Sequence, residues 1–182
     1  MPKILLVDDE PNILNSLRRA INAMPWDAVG EKVSIESFTS PLLALDRAEE
    51  YAFDLVISDY RMPDMDGVSF LRRLVGFQPD ISRLILSGYA DLQAVIAAIN
   101  TVQIHRFISK PWDDYDLTAS ITQALGLRRL LLENRRLADQ VRVQQGELSR
   151  HELELRRLEQ IYPGLTRIER AADGSIDLYS GD

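Results

Sequence analysis

The groups in this chain with chemistry to do are two adjacent carboxylates, Asp8 and Asp9, a third at Asp59, and the ammonium of Lys110. Each stands where a short apolar run gives out, with fifty residues from Asp9 to Asp59 and fifty-one from Asp59 to Lys110. Strands ending at these positions in one sheet would bring all four groups to one edge. Crowded carboxylates repel, and a raised pKa, a basic partner or a bound divalent cation relieves them. All-oxygen ligands beside a phosphate favour magnesium, with Asp9 and Asp59 as direct ligands and Asp8 acting through water. A carboxylate can also attack phosphorus, giving an acyl phosphate, when a metal and a cation neutralise the group in transfer. Lys110 is placed to be that cation, Ser87 supplies a hydroxyl for a phosphoryl oxygen, and Phe107 sets an aromatic beside the same pocket.

The loop after Asp59 reads Tyr60-Arg61-Met62-Pro63-Asp64-Met65-Asp66-Gly67. Pro63 ends the strand direction, Asp66 can cap the next helix and Gly67 tolerates a tight turn, so the loop is pinned. A metal site using a main-chain carbonyl, here that of Arg61, requires such a loop.

The elements that must position these groups follow from periodicity. The runs 3–7, 54–58, 84–87 and 105–109 are apolar and strand-like, and 33–38 alternates as a half-buried edge strand would. Between them lie helical spacings: Ile13, Leu14, Leu17, Ile21; Leu42, Leu45, Ala48; Val68, Leu71, Leu74, Val75; and Leu92, Val95, Ile96, Ile99. Alternating strands and helices imply a parallel sheet covered on both faces, whose ligands sit at the carboxyl ends of the strands.

Composition narrows the chemistry. There is no cysteine, which removes thiolate nucleophiles and disulfides, and the two histidines, His105 and His151, give almost no material for an imidazole site. No apolar run reaches the ~20 residues needed to span a bilayer, and the amino terminus opens into a strand, so a soluble cytoplasmic protein is expected. Residues 1–126 hold 18 acids against 11 bases, and 127–182 hold ten of each. The net charge of −7 therefore belongs to the α/β part, which has no attraction for nucleic acid.

Five motifs in order, Leu6-Val7-Asp8-Asp9-Glu10, Asp54 to Pro63, Asp66-Gly67, Ser87-Gly88-Tyr89 and Lys110-Pro111-Trp112, resemble the receiver domain of two-component response regulators. The resemblance covers roughly residues 1–126. It implies a flavodoxin-like, five-stranded parallel sheet of order 2-1-3-4-5 with helices on both faces. It implies Asp59 as phosphoacceptor, magnesium held by Asp8, Asp9, Asp59 and the Arg61 carbonyl, Lys110 paired with the phosphoryl group, and Ser87 with Phe107 as the switch pair. A sensor histidine kinase or phosphotransfer protein would be the donor. The face of the fourth helix, fifth strand and fifth helix would shift between pre-existing states. Arg61 and Tyr89 are bulky and flank the path of an attacking water, so a slowly decaying phosphoryl group is expected.

From Asp113 to about Tyr162 the chain stays helix-compatible, with Gly126 and Gly146 as weak points. A heptad frame places Leu127, Asn134, Val141, Leu148, Leu155 and Tyr162 at one seam position. Leu130, Leu137, Gln144, His151 and Leu158 take the other, a coiled-coil pattern in which Asn134 can fix the register of a parallel dimer. Glu147 against Glu152, and Glu154 against Glu159, loosen the seam beyond Val141. Arg128, Arg129, Arg135, Arg136 and the arginines after them fall on the outer face, among acids, as a solvated ion-paired surface. The tail, 163–179, alternates around Asp173-Gly174 as a small hairpin.

The expected organisation is a receiver domain at 1–126, a helical extension at 127–162 that forms a homodimer, and a hairpin-like tail at 163–182. The expected function is a phosphorylation switch without enzymatic turnover, acting on a downstream protein partner or a further output domain. Two alternatives are set beside it. An aspartyl-phosphate phosphatase would place its nucleophile after the first strand with a second Asp two residues on, unlike Asp8-Asp9-Glu10. A constitutive dimeric scaffold would need no phosphorylation at all.

Overall fold

The computed structural model describes residues 1–26, 32–88 and 102–161, the last with backbone alone at some positions beyond 146. Five strands, β1 (Lys3–Val7), β2 (Ser34–Phe38), β3 (Leu55–Asp59), β4 (Ser82–Ser87) and β5 (Arg106–Ser109), form one parallel sheet of order β2-β1-β3-β4-β5. Three helices alternate with them, α1 (Pro11–Asn22), α2 (Pro41–Glu50) and α3 (Gly67–Phe77), and a C-terminal helix runs from Asp114 to Ile161. The expected fourth helix, with Leu92, Val95, Ile96 and Ile99, lies outside the described residues, as do Tyr89, Tyr162 and the tail.

The sheet is the core. Ile4 to Val7 and Leu55 to Ile57 are fully buried, as parallel strands covered on both faces must be. Alternate side chains feed two clusters: Leu5, Val7, Val56 and Ile85 meet α2 and α3, whereas Ile4, Leu6, Ile57 and Leu86 meet α1 and the C-terminal helix. Each such side chain contributes about 1.5–3 kcal/mol by leaving water.

Helix starts follow local chemistry. Pro11 and Pro41 open α1 and α2, where a missing N–H costs nothing. Asp66 caps α3 through Ser69 N–H at 2.9 Å, and Asp113 accepts from the N–H groups of Tyr115 and Asp116.

β2 is the half-buried edge strand expected, all five of its residues being half-buried at the sheet edge. One expectation is corrected. In α2 the buried stripe is Pro41, Ala44, Leu45 and Ala48, and Leu42 is 45% exposed.

The chain forms two compact units, Met1–Leu132 and a second beginning at Glu133. In the second, Leu137, Val141, Val143 and Leu155 lie about half exposed along the helix. Among the described residues, no helix is long and apolar enough to cross a membrane.

Candidate functional site

The parallel register decides where the reactive groups meet. Asp59 closes β3 opposite Leu86, and Ser87 closes β4 opposite Ser109, so Asp59, Ser87 and Lys110 leave adjacent strands at one level. Asp8 follows the last residue of β1, and its N–H is fixed to Phe38 O at 3.2 Å. The Lys110 N–H donates to Ser87 O at 2.8 Å, which ties the lysine to the end of β4. The Lys110–Pro111 peptide is cis.

At this edge Lys110 Nζ stands 2.7 Å from Asp8 Oδ2 and 2.5 Å from Asp59 Oδ1, between side chains only 1% and 7% exposed. The remaining oxygens are also engaged: Asp8 Oδ1 accepts from Glu10 N–H at 2.9 Å, and Asp59 Oδ2 accepts from Arg61 N–H at 2.7 Å. Asp9 is half-buried next door.

One ammonium cannot neutralise three carboxylates. Burial pushes the Asp8 carboxyl above its ordinary value, Lys110 and the Glu10 N–H pull it back, and the charge of Asp59 adds to the rise. For Lys110, burial alone favours the neutral amine, but the hydrogen bonds to Asp59 and Asp8 outweigh it and hold the ammonium above its usual range. The edge is thus short of positive charge.

The profile of the response regulator receiver domain matches residues 4–122. This chain belongs to that family. The hydrogenase transcriptional regulatory protein HoxA of Bradyrhizobium diazoefficiens is 31% identical over 148 residues, 81% of this chain and 29% of HoxA. The chain therefore spans under a third of the length of such curated relatives. A crystal structure of a Neptuniibacter caesariensis protein is 44% identical, with TM-score 0.66 over 73% of this chain and 93% of that one. The signal receiver domain of an HD domain-containing protein from Pseudomonas fluorescens Pf-5 is 34% identical, with TM-score 0.63 over 70% of this chain and 97% of that domain.

Within the receiver domain, Lys110 is brought into direct contact with Asp8 and Asp59, Ser87 is buried one strand away, and Phe107 is half-buried against the core cluster that includes Ile85 and Val56. Among the described residues, no three acidic or imidazole groups converge into a ready metal cage, because Lys110 stands between Asp8 and Asp59. Magnesium does not require one, since it commonly takes one or two carboxylates and keeps its waters. The hard oxygen donors and the excess negative charge suit such an ion.

The role of Gly67 is corrected. No left-handed backbone makes glycine necessary there; a side-chain carbon on Gly67 would stand 2.1 Å from the Asp59 carbonyl oxygen. Sequence reasoning also missed Arg128. It was placed on a solvated outer face, yet its side chain is 19% exposed and pairs with Asp54, while its Nε donates to Asp80 O at 2.9 Å. The one available signal was an acid, Asp54, at the start of an otherwise apolar strand.

Proposed function

We propose that this chain is the phosphoacceptor part of a cytoplasmic two-component response regulator. The observation that carries the reading is Lys110 Nζ bridging Asp8 and Asp59 at 2.7 and 2.5 Å, on the strand ends of a receiver fold. An Asp59 carboxylate oxygen attacks the phosphorus of a phosphohistidine on a sensor kinase or phosphotransfer protein, or of a small acyl phosphate. The new O–P bond forms as the P–N or P–O bond to the donor breaks; imidazole or acetate leaves with the electron pair. Lys110, already beside Asp59, follows the transferred charge and stabilises the phosphoryl oxygens. The acceptor is consumed once per chain, so this is a switch and not a turning-over enzyme.

Magnesium, held by Asp9, Asp59, the Arg61 carbonyl and Asp8 through water, would supply further neutralisation of phosphoryl charge. Ser87 then donates to a phosphoryl oxygen, and Phe107 repacks in response. The domain division at 1–126, 127–162 and 163–182 gives the switch a helical extension that forms a homodimer and leads to a downstream protein partner or an output domain. Exposed Leu127, Leu130, Leu137 and Val141 support an apolar helix–helix seam.

The test uses acetyl phosphate with magnesium on wild type and Asp59→Ala, followed by intact mass and light scattering. A magnesium-dependent gain of one phosphoryl group that Asp59→Ala abolishes is the expected result. A dimer of unchanged mass and shape, with no modification, would support the constitutive scaffold instead.

A further inference from the structure

Gly67 opens α3, and its N–H closes the acceptor loop on Tyr60 O at 2.8 Å. A carbon at the Cβ position there would lie 2.1 Å from the Asp59 carbonyl oxygen and 3.1 Å from both the Asp59 carbonyl carbon and Tyr60 Cα. Every one of these atoms is main chain, so no flexible side chain can swing away. The same carbonyl accepts from Ser58 Oγ at 2.9 Å. The backbone of the acceptor is thus gripped from β3 and from the first turn of α3.

We infer that Gly67 is a positioning residue for phosphoryl transfer: its bare Cα, seated against the main-chain carbonyl of Asp59, sets where the Asp59 carboxylate stands relative to Lys110. The inference rests on the reading of Asp59 as acceptor. Relieving a 2.1 Å contact to beyond 3.0 Å moves one partner by about 1 Å. We take Asp59 as the partner that yields, because α3 is held by its own helical bonds whereas Asp59 is the last residue of its strand, its peptide tied onward by the single bond from Tyr60 N–H to Leu86 O at 2.9 Å. The main chain of Lys110 stays tied to Ser87 O at 2.8 Å, so a shift of Asp59 changes the span that the lysine side chain must bridge to reach it. A misplacement of about 1 Å can cost up to roughly 100-fold in rate.

The experiment compares wild type, Gly67→Ala, Gly76→Ala and Ser82→Ala. Gly76 lies in the same helix with nothing within 4 Å of an added Cβ. Ser82→Ala removes the Ser82 Oγ bond to Ala124 O at 2.9 Å, at the far end of β4 from Ser87, and lowers the denaturation midpoint without touching Asp59. Phosphorylation by acetyl phosphate is followed by intact mass at saturating magnesium and donor, giving both a rate constant and a final stoichiometry. Gly67→Ala should reach the wild-type stoichiometry with a rate constant about 10- to 100-fold lower. Gly76→Ala and Ser82→Ala should keep the wild-type rate constant within about twofold.

A merely structural role predicts the reverse, a reduced stoichiometry at an unchanged rate constant, and that result overturns the inference. So does an equal loss of rate in Ser82→Ala. A Gly67→Ala chain that fails to fold overturns it too, because the methyl group is then rejected by the fold and not absorbed as a shift of the acceptor. A wild-type chain that takes no phosphoryl group sinks the proposed function itself, and the inference with it.

Discussion

At the carboxyl edge of the sheet one ammonium, Lys110, serves two carboxylates, Asp8 and Asp59. At the opposite edge one carboxylate, Asp54, serves two donors: its Oδ2 accepts the Lys3 N–H at 2.7 Å and its Oδ1 pairs with the Arg128 guanidinium. The components are alike and the ratios are inverted. Two buried acids around one cation leave surplus negative charge, which burial makes costly, so this edge gains from a further cation or from a chemical change at one acid. One acid between two donors is satisfied, and it ties the start of β1, the start of β3 and the C-terminal helix together. Ser82 Oγ, bonded to Ala124 O at 2.9 Å, adds a second tie at the same end. One edge carries surplus negative charge and the other is balanced.

The largest way to break this contrast is Lys110→Ala. It removes the only cation touching Asp8 and Asp59 among the described residues, and phosphorylation by acetyl phosphate should slow by about 100- to 1000-fold, the usual scale for losing a preorganised electrostatic group. Intact mass against time measures it. A rate close to wild type would mean that the carboxyl edge does not depend on its lysine.

Asp54→Ala should act in the other currency. With Arg128 and Asp54 only 19% and 27% exposed, the loss strands a partly buried guanidinium and should lower stability by about 1–3 kcal/mol. The phosphorylation rate should stay within about twofold, since distant sites act nearly independently. Urea denaturation reads the first and mass the second. A matching loss of phosphorylation would show that the two edges are coupled and the division of labour is wrong.

The carboxyl edge was far more legible in the sequence than the opposite one. Asp8, Asp59, Ser87 and Lys110 each follow an apolar run, and in a parallel sheet strand ends on neighbouring runs fall at the same level, so a one-dimensional pattern carried a three-dimensional site. The order of the sheet was legible through the receiver resemblance. Arg128 was not legible, because its partner Asp54 lies 74 residues away and a heptad frame treats a helix as though nothing but another helix could touch it. The contact of Gly67 with Asp59 was hidden for a different reason. Glycine in a loop has several uses, and close approach of two backbones leaves no periodic trace. The half-buried edge position of β2 was by contrast legible in the alternation of 33–38.

The smallest expected effect sharpens the contrast from within the carboxyl edge. If surplus negative charge is what distinguishes it, then removing one charge while keeping the shape should stabilise the fold. Asp8→Asn does this, retaining an oxygen for the Glu10 N–H and leaving Lys110 its bond to Asp59. The Asp8 carboxyl is raised in the folded chain, chiefly by burial, above its ordinary value of 3.8. A raised carboxyl binds protons more readily folded than unfolded, so its ionisation weakens the fold as pH rises through the folded pKa, and stability recovers as pH falls back toward the unfolded value. At neutral pH, without magnesium, Asp8→Asn should therefore gain on the order of 1 kcal/mol over wild type. The difference should shrink on acidification toward the ordinary carboxylate range, where Asp8 takes up its proton, and it should shrink again when magnesium is added to wild type. Denaturation midpoints at several pH values, with and without magnesium, measure all three changes. An Asn variant less stable than wild type at neutral pH would mean that the Asp8–Lys110 pair outweighs the crowding, and the carboxyl edge would then be as well satisfied as the edge that holds Arg128.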